Sequence, residues 1–588
     1  MTGNSENRTN DVVWDNAKDF CEWKVFWASE LVAEGAEEVS TQWIEVDKNE
    51  HMRTDVKVYV ETNLRSRLVA MGNQEKQKVR SDSPTADTIA IHLVCSFSAS
   101  HRLKIKCGDL ENAYFNGMKM TRVLLLRQPK GGLPGMNHTD RLLAKVPIYG
   151  TQDAGRGFWR KLLWVLKKAG WKPSSMYGAC YYFTVETEIR GVLATHVDDL
   201  IWAVFEGLES VMKEVAEYLT FGKMEEMNFR FCGREVTQSE EFTIKITCRD
   251  TTLKLNPIVI KTTSGKASPD ERAQYESVAG SLAWICRVSR ADIMANVSKI
   301  QQRKKHLDVP AMQDANKVVK YAKEHADRGF TFKSGVLDWS NMVCTLVSDA
   351  SWAEEVDVIT GEPHRSLGAM ALCLTTPSFP TDGSGFLHVV YMSASIIHRV
   401  CRATIQAETY QLELGVEHLD VLRAAIVDMR TQLDYKDWER TSSKNMKSVW
   451  FTDCQSTEAA LERPVLGEIT DKRLSIEIAI LRQSVWRRAG DKVGDSAILD
   501  DLPCIDEATD ICRWCDTDVM FVDALTKVMS PEKLMEVLEL NFWSVAQPIE
   551  SLRKKRVKQA QRKAKKVKDH DELEGDVEEA PEQQVMGK

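Results

Sequence analysis

The sequence lacks long apolar runs and has no basic, apolar start. No window of 18 or more uncharged apolar residues occurs, and the first thirty residues are polar and acidic. A membrane span needs about 20 consecutive apolar residues, and a secretory signal needs a basic start followed by an apolar stretch. We therefore expect an intracellular protein that has no membrane partner and is not secreted.

Cysteine and histidine are also sparse. The 14 cysteines are scattered over 588 residues, and the 12 histidines form no HExxH pattern and no closely paired Cys/His set. Scattered thiols are typical of reduced proteins, and zinc sites need ligands at short fixed spacings. Cys512-Arg-Trp-Cys515 is a lone pair, so we interpret it as structural.

No repeat of fixed period is present, which argues against solenoids and propellers. The chain is instead long and of ordinary composition, 43% apolar and 28% charged, which predicts three or four domains. The net charge of −8 leaves nucleic-acid binding open. An enzyme that acts on nucleic acid needs only a basic channel, and it keeps acidic residues for its metals.

Composition changes mark the expected boundaries. An acidic helical stretch over 19–38 precedes a first strand at 41–46, and a polar turn at 262–270 precedes helical sequence to about residue 328, interrupted at Pro310. Ten of the sixteen residues 553–568 are Lys or Arg, and eight of the fourteen residues 569–582 are Asp or Glu. Such blocks cannot bury enough surface to fold alone, so 551–588 is predicted to be a tail. The basic block could bind nucleic acid or protein, direct nuclear import, or only solubilise the chain.

Between residues 341 and 540 the pattern predicts a mixed sheet with helices on its faces. Strands are expected at 343–347, 369–374 and 387–392, followed by a long helix whose apolar positions from Leu412 to Met429 are three or four apart. A strand at 449–451, helices at 457–461 and 474–488, a strand at 510–515 and a helix at 531–538 complete the order.

Four acidic residues stand at the ends or beginnings of these elements. Asp349 is expected to close the first strand, Glu408 to lie in the first turns of the long helix, Asp453 to close the fourth strand and Asp523 to follow the fifth. Each alone is typical of a turn or helix cap. Together with the element order, they predict a site for hard divalent cations, which prefer oxygen ligands.

A second acidic constellation lies upstream. Asp198 and Asp199 interrupt the apolar run 192–205, and a hairpin would place them at its tip. Two adjacent charges in apolar surroundings are costly unless a cation neutralises them, although a plain Asp-containing turn remains the alternative. Asp109 ends an alternating run before a helical turn and is a candidate partner.

These residues lie in motifs that resemble the reverse transcriptase and ribonuclease H portion of the Pol polyprotein of copia-type LTR retrotransposons. The resemblance runs from about Trp43 to Leu540. Eight segments follow the family's order. In the first half, RSRLVAMG (65–72) resembles KARLVAKG, DLENAYFNG (109–117) resembles DVKTAFLNG, HVDD (196–199) resembles YVDD, and YESVAGSL with RADI (275–282, 290–293) resembles YRSLVGSL with RPDI. In the second half, SDASWA (348–353) resembles SDADWA, AETY (407–410) resembles AEAEY, TDCQS (452–456) resembles CDNQS, and DALTK (523–527) resembles ADxLTK.

The resemblance implies an α+β multidomain protein. A right-hand polymerase of fingers, palm and thumb would precede a ribonuclease H-like α/β domain with a mixed five-stranded sheet. The implied divisions are an N-terminal helical extension (1–40), fingers and palm (41–235), thumb or connection (236–335), the ribonuclease H-like domain (340–540) and a charged tail, expected to be disordered (541–588). The chain would be the C-terminal part of a Pol polyprotein, in the cytoplasm within a virus-like particle, in the nucleus, or in both.

The resemblance also implies an RNA-directed DNA polymerase with ribonuclease H activity. Asp109, Asp198 and Asp199 would hold two Mg²⁺ ions of the polymerase, and Asp349, Glu408, Asp453 and Asp523 those of the nuclease, with Mn²⁺ as a substitute. Tyr114 would select deoxynucleotides, and Arg67, with Arg65 in the same motif, would grip the triphosphate. The implied partners are an RNA template, a DNA primer, deoxynucleoside triphosphates and an RNA–DNA hybrid; the oligomeric state is left open.

Three positions depart from the family pattern. His196 replaces the hairpin tyrosine that touches the primer terminus, and Arg473 replaces a histidine. Asp153 stands where a glutamine contacts the nucleotide, so it should repel a triphosphate unless Arg156 or the metals pair with it. The alternative is therefore a degenerate, catalytically inactive element product that binds nucleic acid.

Overall fold

The computed structural model describes residues 21–23, 36–47, 49, 61–355, 365–431, 433–462, 469–485 and 510–546. The charge blocks predicted within 551–588 lie outside these residues, as does most of the predicted helical stretch 19–38. The described parts of that stretch are extended, at Cys21–Trp23 and from Glu37 onward, so the helix prediction is wrong there. Among the described helices, none combines the length and apolarity that crossing a bilayer requires.

Four sheets are built from the following strands: β1 (Cys21–Trp23), β2 (Glu37–Asp47), β3 (Leu64–Ala70), β4 (Lys106–Leu110), β5 (Leu124–Arg127), β6 (Arg141–Ala144), β7 (Lys172–Pro173), β8 (Cys180–Val185), β9 (Glu188–His196), β10 (Asp199–Val204), β11 (Phe221–Glu226), β12 (Asn228–Phe231), β13 (Arg234–Gln238), β14 (Ile244–Thr247), β15 (Phe330–Phe332), β16 (Val343–Glu355), β17 (Arg365–Thr375), β18 (Ser384–Ile397), β19 (Ser448–Thr452), β20 (Asp510–Trp514) and β21 (Phe542–Ser544).

The helices that cover these sheets are α1 (Thr88–Ser100), α2 (Ala154–Lys168), α3 (Ser210–Ala216), α4 (Arg249–Leu253), α5 (Pro269–Val288), α6 (Met294–Gln302), α7 (Val309–Glu324), α8 (Phe379–Asp382), α9 (Thr404–Arg430), α10 (Trp438–Asn445), α11 (Gln455–Glu462), α12 (Lys472–Val485), α13 (Asp523–Thr526) and α14 (Glu532–Leu540). Short 3-10 turns lie at Gly72–Gln74, Ala113–Asn116, Ala291–Ile293 and Arg303–Lys305.

The N-terminal sheet has the order β1-β6-β5-β2-β3. β2 contains the strand predicted at 41–46 and pairs antiparallel with β3 along its length. Neighbouring side chains of a strand point to opposite faces. β3 therefore buries Leu68 and Ala70 while it presents Arg65 and Arg67 on its exposed face.

The central sheet has the order β11-β4-β10-β9-β8-β7 and carries helices on both faces. One set of alternating side chains packs with α1, and the other set packs with α2 and α3. The α1 side includes Val192, Ala194, Ile201 and Ala203; the α2 and α3 side includes Leu193, Leu200 and Trp202. The sheet is therefore the middle layer of three, and its strand ends position the upstream acidic residues.

A small four-stranded sheet, β12-β13-β14-β15, leads into α5, α6 and α7. Residues 235 and 236, between which a domain boundary is predicted, both lie in β13. Helical sequence between 271 and 328 is confirmed, and so is an interruption at Pro310, because α6 ends at Gln302 and α7 begins at Val309 with Pro310 in its first turn. Proline fits there because the first helical N–H groups need no partner within the helix.

The C-terminal sheet has the order β20-β19-β16-β17-β18-β21. β16, β17 and β18 pair antiparallel, whereas β16, β19 and β20 run parallel. The predicted mixed sheet is therefore present, with β21 as a sixth, short strand. The expected boundary at 540/541 differs from the structure, because Asn541 is buried and β21 pairs with β18.

One apolar core joins the central and C-terminal sheets. It extends from Ala86 to Trp543 and includes α1, the small sheet, α5 to α7 and the C-terminal sheet. His92 of α1 contacts the Val390 carbonyl at 3.0 Å, and Ser96 contacts His388 at 2.9 Å. The chain is thus a mixed α/β protein of several units whose two large halves share buried contacts.

Candidate active sites

The upstream acidic residues meet at the end of the β9–β10 hairpin, as predicted. Asp199 lies opposite Asp109 of β4 and opposite His196 of β9, and Asp198 occupies the turn. The Leu110 amide donates to the Asp198 carbonyl at 2.8 Å, which ties the turn to β4. Val197 has a φ of 59°, a strained conformation for a β-branched residue, and such strain is concentrated at functional sites. We call Asp109, Asp198 and Asp199 the upstream cluster.

The upstream cluster is partly buried and strongly negative. Burial raises the pKa of Asp198, and the charge of Asp109 adds to the effect. Burial also raises the pKa of Asp199, followed by repulsion from Asp198 and Asp109. Asp109 Oδ1 accepts a hydrogen bond from the Lys223 amide at 2.8 Å. A cation would relieve the remaining repulsion, so the donor set fits hard divalent ions.

Gly222 of β11 lies directly against Asp109 of the upstream cluster. A Cβ atom at position 222 would lie 2.8 Å from Asp109 Oδ2, closer than van der Waals contact allows. The absence of a side chain therefore lets β11 approach Asp109, a requirement that no motif in the sequence indicated.

Tyr114 and Arg67 lie beside the upstream cluster. Tyr114 lies in the 3-10 turn Ala113–Asn116, and its pKa is raised by burial and by the charge of Asp198. Its ring packs at 4.9 Å, edge to face, against Tyr149, and the Arg67 guanidinium lies 5.4 Å from the Tyr149 ring centre. Arg65 shares the exposed face of β3 with Arg67. Tyr149 was not among the predicted site residues, although it lies four residues before Asp153.

Asp153 is neutralised by a residue that sequence analysis missed. Its carboxylate accepts bonds from Arg122 at 3.1 and 3.2 Å, and the same guanidinium binds Glu75 at 2.7 Å. Arg122 also lies 3.6 Å from Glu37. Burial alone would lower the pKa of Arg122, but these carboxylates raise it. Arg122 therefore neutralises Asp153.

Arg156 does not neutralise Asp153 in this structure. Its guanidinium binds Asp82 at 2.6 Å and lies 5.7 Å from the centre of the Trp159 ring. The expectation that Arg156 pairs with Asp153 is corrected accordingly. Arg156 pairs with Asp82 because it lies in the first turn of α2 and points toward the segment that precedes α1.

The downstream acidic residues also converge. One carboxylate oxygen each of Asp349, Asp453 and Asp523 lies within 4.8 Å of the others. Glu408, in the second turn of α9, accepts a bond from the Ala350 amide and lies near Asp349 and Asp453. These four residues form the downstream cluster. Asp453 follows β19 as predicted, but Asp349 lies within β16, which continues to Glu355, so its expected place at a strand end is wrong.

The downstream cluster contains unsatisfied buried oxygens. Asp349 Oδ1 and Glu408 Oε2 have no hydrogen-bond partner. Burial raises the pKa of Asp349 to about 7 and raises the pKa of Glu408 well above its usual value, and mutual repulsion adds to both shifts. Buried polar atoms without partners are rare, and a divalent cation would satisfy them. The donor set therefore fits hard metal ions here too.

Two further side chains of the predicted 523–527 motif contact the cluster. Lys527 Nζ lies 2.8 Å from Asp523 and 3.6 Å from Asp349, while Thr526 donates to Asp349. The surrounding carboxylates raise the pKa of Lys527 although burial opposes the shift. Lys527 thus provides a positive charge within the cluster, a role that its position in the motif alone did not reveal.

His196 lines a cleft of about 1710 Å³ between the hairpin, the small sheet, α5, α6 and β18. Arg234, Trp284, Gln301 and Tyr391 contribute to its walls. His196 Nδ1 has no hydrogen-bond partner. The cleft is open, and both polar and apolar residues line it.

Two other sequence features lie away from this chemistry. Arg473 is exposed in the first turn of α12. Cys512 lies on β20 and Cys515 is buried just after it, both as free thiols, which agrees with a structural interpretation.

Comparison with known proteins finds a family match for the range 27–259. Residues 27–259 match the family model described as reverse transcriptase (RNA-dependent DNA polymerase). No curated protein matches. Among solved structures, a foamy viral protease–reverse transcriptase in complex with double-stranded DNA is similar at 10% identity and a TM-score of 0.40, over 77% of this chain. This chain covers 63% of that one. The upstream cluster lies within the range that matches the reverse transcriptase model.

Proposed function

We propose that the protein is an RNA-directed DNA polymerase with an attached ribonuclease H of the copia retrotransposon type. The observation that carries the polymerase half is the register that places Asp109 opposite Asp199, with Asp198 at the turn. The nuclease half is supported by three carboxylates within 4.8 Å on a mixed sheet, with Glu408 beside them. The substrates would be an RNA template, a DNA primer, deoxynucleotides and the resulting hybrid.

In the polymerase half, the upstream cluster would hold two Mg²⁺ ions. Bound cations would supply charge stabilisation at the reacting phosphate and activate the attacking hydroxyl. Arg67, on the exposed face of β3, binds the triphosphate, for which a planar guanidinium is well suited. Tyr114, supported by Tyr149, limits the space beside the sugar. Arg122 binds Asp153 and thereby offsets part of the repulsion between this carboxylate and the nucleotide.

In the nuclease half, the downstream cluster would hold its own metal ions. Asp349, Glu408, Asp453 and Asp523 orient them, and Thr517 fixes Asp453 through a hydrogen bond of 2.8 Å. Lys527 offsets part of the negative charge that the buried carboxylates accumulate. A hybrid would be recognised by its 2′-hydroxyls and backbone shape rather than by base sequence.

The test separates the two clusters. Asp198→Asn or Asp199→Asn should abolish Mg²⁺-dependent primer extension on RNA and leave cleavage of a labelled hybrid largely intact, because each change removes a ligand from one cluster only. Asp349→Asn or Glu408→Gln should have the reverse effect. Asp314→Asn, at an exposed ion pair of α7, is the matched control and should change neither activity.

The outcomes have distinct meanings. Near-wild-type extension by Asp198→Asn would show that the hairpin is wrongly assigned, and equal loss of both activities in every variant would indicate misfolding or one shared site. Hybrid binding by the wild-type protein without extension or cleavage would support the inactive, nucleic-acid-binding alternative.

A further inference from the structure

Helix α2 presents a basic and aromatic face that the proposed active sites do not use. Its outward side carries Arg160, Trp164, Lys167 and Lys168, which are exposed, and Lys161, which is half-buried; Tyr218 packs against Trp164 from the segment after α3. We call these six residues the α2 face. Their spacing of one, three or four residues places them on one side of the helix, since an α-helix has 3.6 residues per turn.

The opposite side of α2 is fixed in the core. Phe158, Leu162, Val165 and Leu166 are buried against the central sheet. The helix is therefore held rigidly, and its orientation leaves the α2 face toward solvent. Trp164 remains 42% exposed although a residue of its size usually buries most of its surface.

The cations of this face lack acidic partners. Within the described ranges, none of Arg160, Lys161, Lys167 and Lys168 forms an ion pair with a carboxylate. Two of the lysines lie over aromatic rings instead: Lys161 Nζ is 4.6 Å from the Trp164 ring centre, and Lys168 Nζ is 4.3 Å from that of Tyr218. In a chain of net charge −8, four unpaired cations on one helix face form a local binding surface for a polyanion.

The α2 face lies on the other side of the central sheet from the cleft. α2 packs with Leu193, Leu200 and Trp202 on one face of the central sheet. His196 of β9 and Asp199 of β10 are at the alternate positions of their strands, so they lie on the opposite face, toward α1. The start of α1 also lines the cleft. A ligand on the α2 face would therefore not occupy the upstream cluster.

We propose that the α2 face binds single-stranded nucleic acid outside the polymerase cleft. Lysine and arginine would contact successive phosphates. Lys161, which lies over the Trp164 ring, would turn to a phosphate so that a base stacks on the indole in its place. An acidic protein segment would satisfy the cations but would gain little from an exposed indole, so the aromatic residue favours nucleic acid. The proposal rests on the proposed function in taking nucleic acid as the substrate class.

The experiment measures binding with the cleft already filled. The full-length protein is saturated with an unlabelled template–primer hairpin, and a short fluorescein-labelled poly(U) RNA is titrated at several salt concentrations. The double substitution K161Q and K168Q should weaken RNA binding and lower the slope of log affinity against log salt by about 1.4, because each single-strand phosphate contact contributes about 0.7. The double substitution K317Q and K320Q on α7 removes the same charge from ion-paired lysines and should change neither quantity.

The aromatic contribution is tested separately. Trp164→Leu should weaken RNA binding at least about fivefold, whereas Trp164→Phe keeps a ring and should remain close to wild type. If Trp164→Leu does not fold, the Lys161 and Lys168 pair still decides the outcome.

Two results would overturn the proposal. One is an unchanged salt slope in the double lysine variant. The other is a pair of findings: the double lysine variant loses as much affinity for a labelled poly(Glu) peptide as for the RNA, and Trp164→Leu does not change RNA binding. Together they would assign the face to an acidic protein. Failure of the proposed function would appear differently, as absence of primer extension by the wild-type enzyme.

Discussion

At the scale of single residues, we propose that Tyr114 and the ring that supports it limit the space beside the sugar of a bound nucleotide. Tyr114 packs edge to face with Tyr149 next to Asp198. Tyr114→Ala should raise the ratio of ribonucleotide to deoxynucleotide incorporation by about tenfold or more, because the vacated volume admits a 2′-hydroxyl. The ratio is measured by single-nucleotide extension. Tyr114→Phe keeps the ring and should show the wild-type ratio; a normal ratio in the alanine variant would remove Tyr114 from this role.

Arg122 is the second residue whose removal should have a large effect. Its half-buried guanidinium binds Asp153 and Glu75 and lies near Glu37, so Arg122→Gln leaves three carboxylates without their counter-charge. Breaking a buried ion pair typically costs about 3 kcal/mol, because a buried charge remains unpaired. We expect a loss of this size in urea unfolding, together with a higher KM for deoxynucleotides.

Two control variants change either side of the ion pair between Arg122 and Asp153. Arg122→Lys keeps the charge but loses the two-pronged geometry, so it should cost less. Asp153→Gln should make the KM for deoxynucleotides less sensitive to Arg122→Gln, since the carboxylate at the position expected to contact the nucleotide is then absent. An identical rise in KM with and without Asp153 would contradict the proposed role.

Residue-level prediction from sequence succeeded where chemistry is carried by short motifs. All three upstream acids and all four downstream acids come together as expected. Arg122, Tyr149 and Lys527 were missed because their roles depend on partners that only the fold brings close. Arg122 and Asp153, for example, are 31 residues apart and meet only where α2 begins beside the N-terminal sheet.

At the scale of elements, the sequence predicted the kinds and order of elements better than their ends. β16 was expected over 343–347 but runs to Glu355, because β17 continues to pair with it beyond Asp349. A strand ends where its partner ends, and local composition does not contain that information. Strand β21 was not predicted for the same reason. It has three residues and is stabilised by pairing with β18 rather than by its own strand propensity.

The contact between helices α9 and α12 should depend on pH. Burial and a hydrogen bond with Glu477 raise the pKa of Glu413 to about 7, while Glu477 also binds Arg399. A carboxyl whose folded-state pKa is raised stabilises the folded protein below its usual pKa of 4.5, and this contribution is lost as the pH rises through 7. Because Glu413 is partly exposed, we expect a loss of only about 1 kcal/mol.

Glu413→Gln isolates this effect. The amide donates to Glu477 at every pH, so the variant should lack the part of the wild-type stability loss that occurs between pH 5 and pH 8. Thermal unfolding of both proteins across that range provides the measurement, with Glu324→Gln on α7 as an exposed control. Parallel pH profiles for wild type and Glu413→Gln would show that the two carboxyl groups do not share a proton.

At the scale of the whole molecule, the central sheet and the C-terminal sheet, which carry the proposed polymerase and nuclease sites, are joined through α1. The same apolar core contains α1 and β18, and polar contacts cross it. Ser96 Oγ lies 2.9 Å from His388 Nδ1 and accepts from Trp339 Nε1 at 3.3 Å, while His388 Nε2 contacts the Lys333 carbonyl at 3.1 Å. Burial lowers the pKa of His388 to about 4, so the ring is neutral: Nε2 donates to the carbonyl and Nδ1 accepts from Ser96.

Ser96→Val should therefore destabilise both halves together. The substitution leaves a buried imidazole nitrogen and a buried indole N–H without partners, which costs about 2 kcal/mol and corresponds to about 2 °C in a protein of this size. The measurement is the temperature at which half of the primer extension and half of the hybrid cleavage survive heating. Both midpoints should fall by the same amount, because the core that Ser96 supports is shared. Ser98→Ala, which removes a hydroxyl bonded within the first half to the Leu103 carbonyl, is the comparison variant. A midpoint that falls for extension alone in Ser96→Val would show that the halves unfold independently, despite the hydrogen bonds between them.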